Sequence, residues 1–183
     1  LGWHQCTNEA AMWRKSSVAS PGSYLKLSVY VDDNILTGFD ENETKAEANA
    51  ILKVFKGNLL PPTRRRNVEV WDILGAHLEY DRKARSMKLQ MADYIEKMAL
   101  KYGVRGTADN PNVVEAPLLE ETNETQYPYR EIVGSLQWVC TIARPDVSRN
   151  VNLCSRFLGK KITKERVDAA KKIIKYLLCT KTE

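Results

Sequence analysis

The feature that most limits how this chain can fold is the stretch Tyr24 to Phe39, Y-L-K-L-S-V-Y-V-D-D-N-I-L-T-G-F. Leu25, Leu27, Val29 and Val31 alternate with other residues, which is the period of a strand with one face on a core. Ile35 to Phe39 reads as the return strand. Asp32 and Asp33 then fall at the tight turn of a hairpin, where Asp and Asn tolerate unusual backbone angles. Adjacent carboxylates repel, and each raises the proton affinity of the other. A divalent cation such as Mg²⁺ or Mn²⁺ relieves that repulsion, since hard oxygen ligands suit it and its remaining positions go to water and substrate phosphates. Two such ions about 4 Å apart can activate a hydroxyl and stabilise a leaving oxygen in phosphoryl transfer. An Asp-Asp turn chosen for backbone geometry alone is the competing reading of these two residues. An EF-hand loop is excluded, because from neither Asp do a Gly at the sixth position and a Glu at the twelfth occur together.

The rest of the chain divides into a mixed front and a helical back. Residues 1–24 contain the turn signal Ser20-Pro21-Gly22-Ser23 and no clean period. Glu41 to Phe55 carries Ala46, Ala50, Ile51 and Val54 on one stripe and predicts a helix, ended by Gly57-Asn58 and Pro61-Pro62. Arg64 to Arg66 reads as a short basic loop, and Val68 to Glu79 as a strand or strand pair around Gly75. Asp81 to Ala84 suits a turn, Met87, Leu89 and Met91 a short strand, and Asp93 to Tyr102 a short helix closed by Gly103. Helices are expected over Tyr129 to Ala143, over Asp146 to Leu158, and from an N-cap at Thr163 to about Leu178. The fold class is therefore α+β, with an all-helical back half. The expected organisation is 1–104 for the front domain, 105–128 for an acidic, Pro-containing linker and 129–183 for the helices.

Charge is unevenly placed. The net formal charge is +5. Thr141 to Glu183 holds 11 Lys/Arg against 4 Asp/Glu, whereas Arg105 to Glu131 holds 2 against 6. A basic helical face suits a polyanion, and a solvated helix surface is the plainer alternative. The four cysteines form no C-x-x-C pair and neither histidine lies near one, so a zinc site is not expected. The apolar runs are far shorter than the roughly 20 residues of a membrane span, and the start shows no signal-peptide pattern. A first residue of Leu1 reads as a fragment or a processed product.

Tyr30-Val31-Asp32-Asp33 between apolar strands resembles the Y-x-D-D motif of reverse transcriptases, and Leu36-Thr37-Gly38 after it resembles the copia-type retrotransposon version, YVDD-x-L-x-T-G. Further segments continue the resemblance in order. Trp71 to Tyr80, W-D-I-L-G-A-H-L-E-Y, looks like the primer-grip segment, and Tyr129 to Trp138, Y-R-E-I-V-G-S-L-Q-W, resembles the thumb helix. Ala143 to Phe157 resembles the R-P-D-I…L-S-R-F stretch, and Val167 to Thr180 the segment before RNase H. The opening L-G-W-H-Q…M-W-R-K resembles the copia-type segment just before the catalytic hairpin.

The resemblance implies a partial reverse-transcriptase palm followed by a thumb. Asp32 and Asp33 would be two of three metal-binding, catalytic carboxylates, with Mg²⁺ or Mn²⁺ as cofactor. Tyr30 would pack by the primer terminus, and Leu74, Gly75 and Ala76 would form the primer grip. Arg130, Gly134, Ser135 and Trp138, at i, i+4, i+5 and i+8, would face the minor groove of a hybrid. Retroviral relatives usually have Lys where Ser135 stands, and Asn34 replaces an apolar residue common after YVDD. Arg144, Arg149, Lys171 and Lys172 would contact phosphates. Implied partners are an RNA/DNA primer–template, a dNTP in the complete enzyme, and the remainder of the polyprotein (fingers, the rest of the palm, RNase H), with no membrane. The implied location is a cytoplasmic virus-like particle or the nucleus. Nothing like the strand bearing the third Asp precedes Ser16, so this chain by itself is expected to be inactive. A domesticated or truncated binding module without chemistry, or a protein-interaction fragment, is the alternative reading.

Overall fold

A computed structural model describes residues 1–119 and 121–181. The chain forms two compact units, Leu1–Pro61 and Pro62–Glu183. The fold is α+β, with two antiparallel four-stranded sheets and six α-helices among the described residues.

The first unit is one sheet and one helix. Strands β1 (His4–Gln5), β2 (Met12–Ser16), β3 (Tyr24–Tyr30) and β4 (Asp33–Thr37) pair in chain order. Alternation puts Leu25, Leu27 and Val29 on one face, joined by Leu36 opposite Leu27. Helix α1 (Glu41–Val54) lies against that face. Asp40 caps it, accepting from the Glu43 N–H at 2.7 Å. The helix holds the sheet more by polar contacts than by apolar ones. Glu43 accepts from the Ser17 hydroxyl (2.5 Å) and the Val18 N–H (2.6 Å), and Glu47 pairs with Lys15 (2.5 Å). These bonds, led by the one from Ser17, hold the Glu43 carboxyl below its ordinary range. The apolar stripe expected on this helix is only half used, because Ala46 and Val54 are exposed. Leu25, 1% exposed, is the one hydrophobic side chain of this unit that is buried.

The second unit joins the other sheet to a helical bundle. Strands β5 (Thr63–Arg65), β6 (Val68–Ile73), β7 (Ala76–Asp81) and β8 (Ser86–Gln90) form a meander. Residues 63–65 are thus a strand where a basic loop was expected. Arg64 stands opposite Glu69 and pairs with it at 3.2 Å, and Arg82 binds the same carboxylate at 3.0 Å. Glu69 is 7% exposed, and a buried carboxylate with two guanidiniums fixes a strand whose sequence carries no apolar period.

Helices α2 (Ala92–Lys101), α3 (Ala116–Leu119), α4 (Tyr129–Ile142), α5 (Ser148–Ser155, after a 3₁₀ turn at Pro145–Val147) and α6 (Lys164–Cys179) enclose the core. Ile95, Ile132, Leu136, Val139, Val151, Ile173, Ile174 and Leu177 are each at most 1% exposed. Thr163 caps α6 as expected, accepting from the Arg166 N–H. The acidic segment 105–128 lies against this bundle. Leu118 is buried, the Val113 N–H donates to Asn150 (3.0 Å), Glu115 pairs with Arg156 (2.7 Å) and the Thr125 N–H donates to the Ile162 carbonyl (2.8 Å). Part of the basic surplus of the helices is met in this way. No helix among the described residues is long and apolar enough to cross a membrane.

Candidate nucleic-acid interface

The β3–β4 hairpin turns through two residues. Tyr30 pairs with Asp33, which leaves Val31 and Asp32 as the loop. Val31 takes φ +51 and is 82% exposed. A β-branched residue in the left-handed region carries a strain of about 1–2 kcal/mol. Asp32 therefore sits on the loop and Asp33 on the first rung of β4, beside Tyr30 on the face that α1 does not cover. Tyr30 (55% exposed), Asp32 and Asp33 are all open to solvent. Asn34, opposite Val29, turns to the apolar face. The pair fits a hard cation in donor type but only in part in number. No group of three or more His, Cys, Asp or Glu able to hold a metal occurs among the described residues.

Gly38, closing the L-T-G flank, has a steric role. A Cβ there would approach Leu25 Cδ2 to 2.7 Å and press on the Thr44 hydroxyl, so any side chain at this position would force Leu25 and Thr44 to shift where the end of β4 meets α1.

The β6–β7 hairpin also turns through two residues, Leu74 and Gly75, between the paired Ile73 and Ala76. Both have positive φ, +53 and +79, the pattern of a type I′ turn matched to strand twist. Ala76 is buried at 2%, and Gly75 is exposed. Just beyond, His77 joins this hairpin to α2. Its Nε2 lies 3.1 Å from Asp93, and Asp72, its cross-strand neighbour, sits against Nδ1 as an ionic rather than an aligned hydrogen-bonded contact. The Asp93 bond is the main cause that raises the imidazole above its usual proton affinity, with burial working against it.

On α4, Arg130, Glu131, Gly134, Gln137 and Thr141 are exposed, with Glu131 paired to Lys101 at 3.0 Å. Open space lies beside Gly134. Ser135 is half-buried, its hydroxyl 3.1 Å from that of Tyr102. Trp138 is half-buried and packs against the hydrophobic core. Arg149 is exposed and makes no ion pair among the described residues. The other basic candidates are engaged with protein. Arg144 grips Asp146 through two bonds (2.9 and 2.7 Å) and donates to the Thr180 carbonyl at 3.0 Å. That grip holds the Asp146 carboxyl below its ordinary range. Lys172 donates to the Asn112 carbonyl (2.8 Å), and Lys171 lies 4.5 Å over the Tyr127 ring. Sequence reasoning missed the His77 and Glu69 clusters because their partners meet them only once the strands pair and α2 packs. The D-x-x-E signal at Asp40 and Glu43 was available.

By sequence the chain is similar to transposon-encoded proteins. The retrovirus-related Pol polyprotein from transposon TNT 1-94 of Nicotiana tabacum is 28% identical over 173 residues, covering 86% of this chain and 12% of that polyprotein. A putative transposon Ty5-1 protein of Saccharomyces cerevisiae is 24% identical over 187 aligned residues, covering all of this chain and 57% of that protein. The chain thus spans only part of the length of these relatives. No family model matches, and no solved structure matches.

Proposed function

We propose that this chain is the palm-hairpin, primer-grip and thumb part of a transposon-encoded reverse transcriptase, and that it holds an RNA/DNA primer–template. The observation that carries the reading is Asp32-Asp33 on a two-residue turn after an exposed Tyr30, within the ordered series of motifs described above. The similarity to a retrovirus-related Pol polyprotein supports it. In this account Asp32 and Asp33 would hold Mg²⁺ or Mn²⁺ together with a carboxylate from the rest of the polyprotein, and the metal would supply charge stabilisation for phosphoryl transfer. Tyr30 lies beside the primer end. The Leu74-Gly75 turn presents backbone to the primer, and Arg130 and Gly134 present a cation and a bare backbone to the groove. Trp138 anchors that helix in the core and offers its open edge. The dNTP is taken by the complete enzyme, in a cytoplasmic particle or the nucleus.

A second reading, a helical module for protein contacts or structure, draws on one observation: Arg144, Arg156, Lys171 and Lys172 are already engaged within the fold. Primer extension by a longer polypeptide that adds the upstream palm and fingers separates the two. Extension abolished by Asp32→Asn and by Asp33→Asn is the expected result. Extension untouched by either change, or no extension at all, contradicts the polymerase reading.

A further inference from the structure

Strand β8 is an edge of the second sheet, paired with β7 alone. From Arg82 to Leu89 every residue is exposed, so the hairpin turn and the strand after it are open to solvent. Asp81 holds the turn, accepting from the Lys83 N–H at 2.9 Å and the Ala84 N–H at 2.8 Å. Ser86, the first residue of β8, stands opposite Asp81. Arg82 is engaged with Glu69, but Lys83 and Arg85 make no ion pair among the described residues. The Ser86 hydroxyl thus follows two unengaged cations on a segment that a single ladder restrains. An edge strand with no buried side chain opens at low cost.

Other hydroxyls that follow a basic pair are closed off. Thr163, after Lys160 and Lys161, is 0% exposed and caps α6. Ser16 and Ser17 follow Arg14 and Lys15, but Ser17 is buried and bonded to Glu43, Ser16 lies on an inner strand, and Lys15 is taken by Glu47. At Ser86 the acceptor and both cations before it are exposed together.

We propose that Ser86 is a phosphorylation site for a serine kinase whose acidic groove reads Lys83 and Arg85. The Ser86 oxygen attacks the γ-phosphorus of ATP, its proton passes to the base of the kinase, and the bond from that phosphorus to the leaving ADP oxygen breaks. The product sets about −1.5 to −2 of charge across the pair from the Asp81 carboxylate. Like charges opposite each other in a sheet repel, so the turn end of the β7–β8 ladder loosens.

The proposal does not rest on the polymerase reading, and its test contains no nucleic acid. The full chain is incubated with ATP, Mg²⁺ and the catalytic domain of protein kinase C, which takes cationic substrates, and the modified residues are located by tandem mass spectrometry. Ser86 is expected to be the main site, and Ser86→Ala to remove most of the phosphate without moving the melting midpoint. Lys83→Gln/Arg85→Gln, which keeps the hydroxyl, is expected to slow modification about tenfold through the loss of two exposed charge contacts. Hydrogen exchange of the β7–β8 amides is expected to be faster in the phosphorylated chain. No modification of the folded chain, modification chiefly at Ser16 or Ser17, or a rate indifferent to Lys83→Gln/Arg85→Gln overturns the proposal. Exchange that is unchanged or slower after phosphorylation overturns its link to the ladder.

Discussion

Tyr30 and Asp33 face each other across the last rung of the β3–β4 ladder, and that pairing decides where the two adjacent carboxylates go. Asp33 is held on a strand while Asp32 rides on the loop, so neighbours in sequence occupy different backbone settings. The cost falls on Val31, held at φ +51 with 82% of its surface in water.

Val31→Gly should relieve that strain. The gain in αL is about 1–2 kcal/mol and the added flexibility of Gly costs about 0.5–1, so a net stabilisation of about 0.5–1 kcal/mol is expected. Hydrogen exchange of the β3–β4 amides measures it, and slower exchange is the expected sign. Faster exchange would mean that the loop gains more from the Val side chain than its exposure indicates.

Gly38→Ala should act in the opposite direction. The added Cβ meets Leu25 and Thr44, in the place where the first unit has its one buried hydrophobic side chain. An overpacking cost of about 1–3 kcal/mol is expected in chemical denaturation of that unit. An unchanged midpoint would show that β4 and α1 can separate freely.

How much of this was legible in the sequence depends on whether the determinants are local. The β3–β4 hairpin could be read because alternation and a two-residue turn lie within one stretch. Thr163 could be read as a cap because its target is three residues away. The strand Thr63–Arg65 could not, since it depends on Glu69 across the ladder and on Arg82 further on. Strand β2, M-W-R-K-S, has no clean period because both of its faces carry polar groups. The stripe assigned to α1 is only half used because Glu43 and Glu47 reach the sheet through polar contacts, which hydrophobic periodicity does not see. Of the candidate site, Asp32 and Asp33 lie at the hairpin turn that alternation indicated, whereas on α4 Arg130 and Gly134 are exposed and Ser135 and Trp138 pack against the protein. The engagement of Arg144 with Asp146 and Thr180 needed the fold.

His77 gives a pH dependence with a defined sign. Its folded proton affinity is raised, chiefly by Asp93, above the unfolded value near 6.5. The imidazolium contact is therefore fully present below about pH 6.5 and is lost as pH rises through the folded value. The β7–α2 contact should be firmer at pH 6 than at pH 8, by a modest amount because both carboxylates are largely exposed. His77→Gln should flatten the pH profile of melting between those values. An unchanged profile would show that the cluster contributes nothing.

Gly134→Ala separates fold from binding. An Ala in an exposed helix interior with free space around it should stabilise the second unit by about 0.5–1 kcal/mol. If the bare backbone of Gly134 approaches nucleic acid, the same change weakens hybrid binding. Stabilisation with unaltered binding would take Gly134 out of the interface.

The most direct test of the central claim is fluorescence anisotropy of the full chain with an RNA/DNA primer–template in Mg²⁺ across a salt series. The account predicts that the hybrid is preferred over unpaired strands at matched salt. It also predicts that affinity falls by about 0.9 log units per log unit of salt for each phosphate neutralised, and that Arg130→Gln lowers that slope by about 0.9. No hybrid binding at low salt, or binding indifferent to salt and to Arg130→Gln, would contradict it.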